Sequence, residues 1–128
     1  MKFLKKSKDL ICKVLNIPLD STIDVYIDGN YLLIRKINNR IKEHNIYEFA
    51  FKCKEWASSN NYSILSGVSD EQAYRNDNEK AYAKVVWYVG DDIHRIYKGT
   101  YLFADTEVEA IINASNYILS ILSNKGLK

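Results

Sequence analysis

Apolar residues recur at helical spacing at the start of the chain, where Phe3, Leu4, Leu10, Ile11, Val14 and Leu15 are interleaved with Lys2, Lys5, Lys6, Lys8 and Lys13. The pattern predicts a basic amphipathic helix. Pro18 ends it, because the residue before a proline is pushed out of helical geometry. Ile23, Val25 and Ile27 then alternate with polar neighbours up to Asp28-Gly29, and Tyr31 to Ile37 is again rich in strand formers. That is a hairpin signal, since Asp-Gly readily takes the positive φ of a tight reversing turn. An Asp28-Gly29 loop sets Val25 opposite Leu32 and Ile23 opposite Ile34, whereas a Gly29-Asn30 loop sets Ile27 opposite Leu32; either register yields one apolar face.

The clearest helical stripe follows: Ile46, Phe49, Ala50, Cys53, Trp56 and Ala57, with Asn45 and Glu48 spaced as a capping box. Ser58 to Asn61 stops this helix, Tyr62 to Ser66 suits a short strand, and Gly67 to Lys80 reads as a long polar loop. Ala81 to Val89 and Ile93 to Phe103 are the strongest strand candidates, joined by Gly90-Asp91-Asp92 as a second hairpin. Gly99 inside the latter predicts a bulge or break. A last helix starts at Asp105 or Thr106, with Thr106 and Glu109 as its capping box and Val108, Ile111, Ile112, Ser115, Ile118, Leu119 and Leu122 as its buried stripe.

These elements predict an α+β fold, a mainly antiparallel sheet of two hairpins plus a short strand, packed with three helices as a helix-sheet-helix sandwich. At 128 residues and 47% hydrophobic, the chain suits a single domain over 1–128: a helix and hairpin extension at 1–44, then an α-β-β-β-α core at 45–128.

Charge changes this picture little. The net charge of +2 is uneven, +4 over residues 1–44 and −2 over residues 45–128, yet neither half is basic enough to imply nucleic-acid binding by itself. Cys12 and Cys53, far apart within helical apolar patterns, read as buried, reduced thiols. No apolar run reaches the ~18 residues of a membrane span, and Met1 to Leu15 lacks the uninterrupted apolar core of a signal peptide, so a cytoplasmic protein without membrane association is expected.

Catalytic and metal-binding patterns are weak. His44 and His94 each stand alone, and turn chemistry explains Asp91 and Asp92 beside His94 as well as a carboxylate-histidine site would. No serine sits in a glycine-flanked elbow, and the glycines at 29, 67, 90, 99 and 126 are too scattered for a phosphate loop. Asp70, Glu71, Asp77 and Glu79 lack the spacing of a calcium loop. The expectation is a non-enzymatic protein with no cofactor and no metal.

Tyrosine is the informative residue, ten in the chain, several on expected strands. With Asp91-Asp92 as a two-residue turn, Val85, Trp87 and Ile96 share one face, while Tyr82, Lys84, Val86, Tyr88, Arg95 and Tyr97 share the other. The first face reads as core. The second joins large rings to two cations, the composition enriched in protein recognition surfaces, which makes Tyr82, Lys84, Tyr88, Arg95 and Tyr97 the candidate partner-binding residues. A covering helix would reduce them to half-buried strand tyrosines, and stacking on single-stranded bases would use the same rings.

From Tyr47 to Leu122 the chain resembles small bacteriophage and prophage proteins of the phage ABA sandwich type. The likeness rests on Lys54-Glu55-Trp56-Ala57, Tyr62-Ser63-Ile64, Trp87-Tyr88 and the run from Phe103 through Glu107-Val108-Glu109 to Ile112. It implies a phage-like origin in a family mostly without assigned activity, and so transfers no catalytic residue; residues 1–44 lie outside it. The expected function is a protein-binding module acting on a host or viral protein, an anti-CRISPR type inhibitor of host defence being one form. The alternative is a nucleic-acid-binding accessory protein using Lys2 to Lys13 with Arg35, Lys36, Arg40 and Lys42. A half-exposed sheet also suits a homodimer.

Overall fold

The computed structural model describes residues 2–3, 7–68, 80–91 and 93–126. Its elements run β1 (Lys2–Phe3), α1 (Lys8–Leu15), a 3-10 turn (Leu19–Ser21), β2 (Thr22–Asp28), β3 (Tyr31–Lys36), β4 (Ile41–Asn45), α2 (Ile46–Ser59), β5 (Ser63–Val68), β6 (Ala81–Val89), β7 (Ile96–Ala104) and α3 (Glu107–Gly126). The α+β class, the antiparallel pairing and the three helices are those the sequence pattern predicts. The strands, however, divide between two sheets, β1-β2-β3-β4 and β5-β6-β7. The chain forms two compact units, 1–53 and 54–128, with the boundary inside α2.

In the first unit, α1 starts later than its apolar pattern suggests, because Lys2 and Phe3 pair with Ile27 and Tyr26 across the edge of β2. A single apolar residue there fits the strand period as well as the helical one. The helix buries Leu10, Ile11 and Cys12. It ends on Asn16 in left-handed geometry, φ 56°, while the Ile17 amide donates to the Cys12 carbonyl at 2.9 Å. The β2-β3 hairpin uses the Gly29-Asn30 loop: Ile27 faces Leu32 and Val25 faces Ile34. Gly29 takes φ 61° and Asn30 does not, the arrangement of a tight turn with glycine first. The register slips between Thr22 and Asp24, which pair with Lys36 and Arg35, so Ile23 has no partner across the ladder and is exposed.

Strand β4 is absent from the sequence expectation. Its five residues show little alternation, and what makes it is the Asn38-Asn39 turn: Asn39 sits at φ 65°, and the Asn38 side chain accepts the Arg40 amide at 3.1 Å. The expected α2 cap is present, with Asn45 Oδ1 accepting the Tyr47 and Glu48 amides at 2.9 and 3.2 Å. The stripe Ile46, Phe49, Ala50, Cys53 and Ala57 is buried, and the helix closes through left-handed Asn61 with the Tyr62 amide donating to the Ala57 carbonyl. Cys12 and Cys53 are both buried, and the Cys12 thiol donates to the Thr22 hydroxyl at 3.7 Å.

In the second unit, α3 packs on β5, β6 and β7. Thr106 caps it by accepting the Glu109 amide at 3.2 Å. Ala110 and Ala114 join Ile111, Ile112, Ser115 and Ile118 in its buried set, and the sheet answers with buried Ala81, Ala83 and Ala104. Small residues on both partners allow close approach of helix and sheet.

A tyrosine-lined sheet face as the candidate site

The face of a strand residue follows from pairing register, since residues directly opposite one another point to the same side. In the β6-β7 ladder Tyr82 faces Phe103, Lys84 faces Tyr101, Val86 faces Gly99 and Tyr88 faces Tyr97. The hairpin loop is longer than expected, with β7 beginning at Ile96 rather than Ile93. The ladder thereby shifts by two residues, which leaves facing unchanged. Tyr82, Lys84, Tyr88 and Tyr97 therefore share a side as the sequence pattern predicts. Arg95 lies in the loop and not on the strand, yet its guanidinium carbon sits 4.4 Å from the centre of the Tyr88 ring.

The opposite side is the core. Val85 is buried there, Trp87 contacts Tyr62 and Tyr117 with ring centroids 5.7 and 6.2 Å apart, and the Ser66 hydroxyl donates to Glu107 of α3 at 2.6 Å. Helix α3 thus covers the tryptophan side and not the tyrosine side. Tyr88, Tyr97 and Tyr101 remain 56%, 50% and 41% exposed.

The exposed rings are mutually ordered. Tyr88 and Tyr97 meet edge to face at 5.7 Å, Tyr82 and Tyr101 at 6.0 Å, and Tyr101 stacks on Phe103 at 5.9 Å. Lys84 links the two pairs, its ammonium 5.4 Å from the Tyr97 ring centre and 5.3 Å from that of Tyr101. Interaction with the Tyr97 hydroxyl, reinforced by Tyr101, raises the Lys84 pKa above its ordinary value, so this cation stays charged. Two glycines make room for the ladder. Gly67 lies beneath the Tyr82 ring, and a Cβ on Gly99 would stand 3.0 Å from the Lys84 side chain. Gly99 keeps its place in an unbroken register, so the expected bulge does not occur; the missing side chain serves a neighbour's stem.

Tyr101 and Phe103 escape sequence reasoning because the supposed break at Gly99 cuts them off. Period-two spacing through 97, 99, 101 and 103 is the signal that places them on the same face.

Other candidates fare differently. Asp91 Oδ1 accepts the Ile93 and His94 amides at 3.0 and 2.7 Å, and these bonds hold its carboxyl below the usual range; it is a turn-former. Its contact with His94 Nδ1, at 3.4 Å, joins two exposed side chains. Asp92 lies outside the described residues, as do Asp70, Glu71, Asp77, Glu79, Lys5 and Lys6. Among the described residues no three His, Cys, Asp or Glu side chains gather as a metal site, and no helix is long and apolar enough to cross a membrane. Of the basic set, Arg35 is engaged by Asp24 in a two-pronged ion pair at 2.7 and 3.3 Å, while Arg40 and Lys42 are exposed beside the β3-β4 turn. His44 faces buried Leu32, and its Nε2 is sealed from solvent with no hydrogen-bond partner among the described residues. Burial, then the charges of Lys42 and Lys52, lower its pKa below the ordinary 6.5.

Compared with protein-family models, with curated proteins and with solved structures, the chain matches none.

Proposed function

We propose that the protein is a non-enzymatic recognition module that docks on another protein through the ring-lined face of β6 and β7, with Tyr82, Lys84, Tyr88, Arg95 and Tyr97 making contact. The carrying observation is the ladder running from Arg95 through Tyr88, Tyr97 and Lys84 to Tyr101, exposed on the side away from α3. Rings already held by neighbours lose little freedom on binding, and tyrosine supplies apolar area and a hydroxyl at once. A phage-encoded protein acting on a host or viral target, with inhibition of a host-defence component as one form, is the setting the family resemblance suggests.

Affinity capture from the native host tests this reading. Wild-type protein should retain a co-purifying protein that a folded Tyr88→Ala/Tyr97→Ala variant loses, each truncation weakening the complex by about 1–2 kcal/mol. A Lys8→Glu/Lys13→Glu variant should keep it. Unchanged partner affinity in the tyrosine variant would overturn the assignment, and nuclease-sensitive capture abolished by the lysine changes would favour nucleic acid.

A further inference from the structure

The sheet that carries the rings has an open side. Strand order β5-β6-β7 leaves β7 paired on one edge only among the described residues. Residues 96–99 and 101 of its nine are exposed. An edge of this kind presents backbone groups to a further strand, and proteins usually blunt one with lysine, proline, a bulge or an inward charge, of which β7 carries Lys98. Here there is no proline, and the register runs from Ile96 to Ala104 without a slip. Charge adds a second observation. Strands β5, β6 and β7 contain no Asp or Glu, in a chain that has 16 of them, while Lys84 and Lys98 lie on the strands and Arg95 immediately precedes β7.

We propose that β7 receives an extended, acidic segment of the partner protein as a fourth strand, its alternate side chains lying along Tyr97 and Tyr101, with carboxylates beside Arg95 and Lys84 on that side or beside Lys98, which pairs with Trp87, on the other. The inference rests on the recognition face proposed above and adds the partner's conformation and charge. Backbone pairing along the edge supplies affinity without sequence preference, and the ring face with its cations supplies selection. Charge complementarity decides the occupant: a second copy of the same strand would set Lys98 and Arg95 against their own kind.

Two synthetic octapeptides serve as probes, one alternating Glu and Val, the other alternating Lys and Val, titrated against the labelled full-length protein and followed by amide and tyrosine-ring NMR signals. The Glu/Val peptide should shift the β7 amides together with the Tyr97 and Tyr101 rings and slow exchange of amides along β7. It should bind at least about tenfold more tightly than the Lys/Val peptide, a margin that shrinks in high salt. An Arg95→Glu/Lys98→Glu variant should reverse the preference. Equal binding of both peptides, or no binding of either at millimolar concentration, overturns the proposal. Ring shifts without β7 amide shifts overturn strand addition while leaving face recognition standing. Failure of the tyrosine variants to alter native capture strikes the earlier reading instead.

Discussion

Two residues have conformations or surroundings that tie a single substitution or proton to stability. Gly90 takes φ 99°, and a Cβ there would collide with the His94 carbonyl oxygen, so neither the dihedral nor the space admits a side chain. Gly90→Ala should cost about 1–3 kcal/mol or more in urea unfolding, with amide shifts concentrated between Val89 and Ile96. An unchanged midpoint would mean that the loop closes differently. At His44 the folded pKa lies below the unfolded one, so between the two values the unfolded chain holds more protons. The neutral-imidazole contribution is intact above about pH 6.5, declines as pH falls through that value, and levels off once the folded imidazole also protonates. Urea midpoints from pH 8 to pH 5 should therefore fall more steeply for the wild type than for His44→Leu, with His94 common to both. Parallel curves would remove His44 from the acid response.

At the scale of elements, what could be read from the sequence depended on whether a signal was local. The caps of α2 and α3 lay in side chains three residues apart, and most of each buried stripe followed from helical period, although Trp56, Val108, Leu119 and Leu122 are only half-buried and Ala110 and Ala114 joined the core unforeseen. Strand β4 had no such signature, because a five-residue edge with mostly exposed side chains needs no apolar alternation; its turn asparagines were the only trace. Phe3 fitted two periods, and pairing with Tyr26 in β2 decided between them. Tyr82, Lys84, Tyr88 and Tyr97 were legible because facing depends only on the parity of the register, which survived a longer loop because the pairing moved by two residues. Tyr101 and Phe103 were lost to a glycine read as a break, when its function lies across the strand in Lys84. That account is testable: Gly99→Ala should leave stability within about 0.5 kcal/mol, since the nearest atom belongs to a flexible side chain, yet should displace the Lys84 methylenes and reduce their ring-current shifts. Asn45→Ala, by contrast, should cost about 1 kcal/mol in thermal or urea unfolding through loss of two capped amides.

For the molecule as a whole, the same edge that suits a partner strand is a hazard when the partner is absent. A net charge of +2 gives weak repulsion between copies, and Ile93, Ile96 and Tyr97 stand exposed at one end of an edge without proline or bulge. Lys98 is then the main guard along the strand, because pairing two copies of β7 would bury its charge or bring it near its own counterpart. Removing that charge should release self-association: Lys98→Ile ought to form larger species at concentrations where the wild type stays monodisperse in sedimentation velocity and light scattering, with far-ultraviolet circular dichroism unchanged. Lys98→Glu restores a charge of the other sign and should remain dispersed. The two substitutions separate charge from strand propensity, since aggregation by both would point to loss of the native hairpin, and aggregation by neither would show that β7 is protected by something other than its lysine.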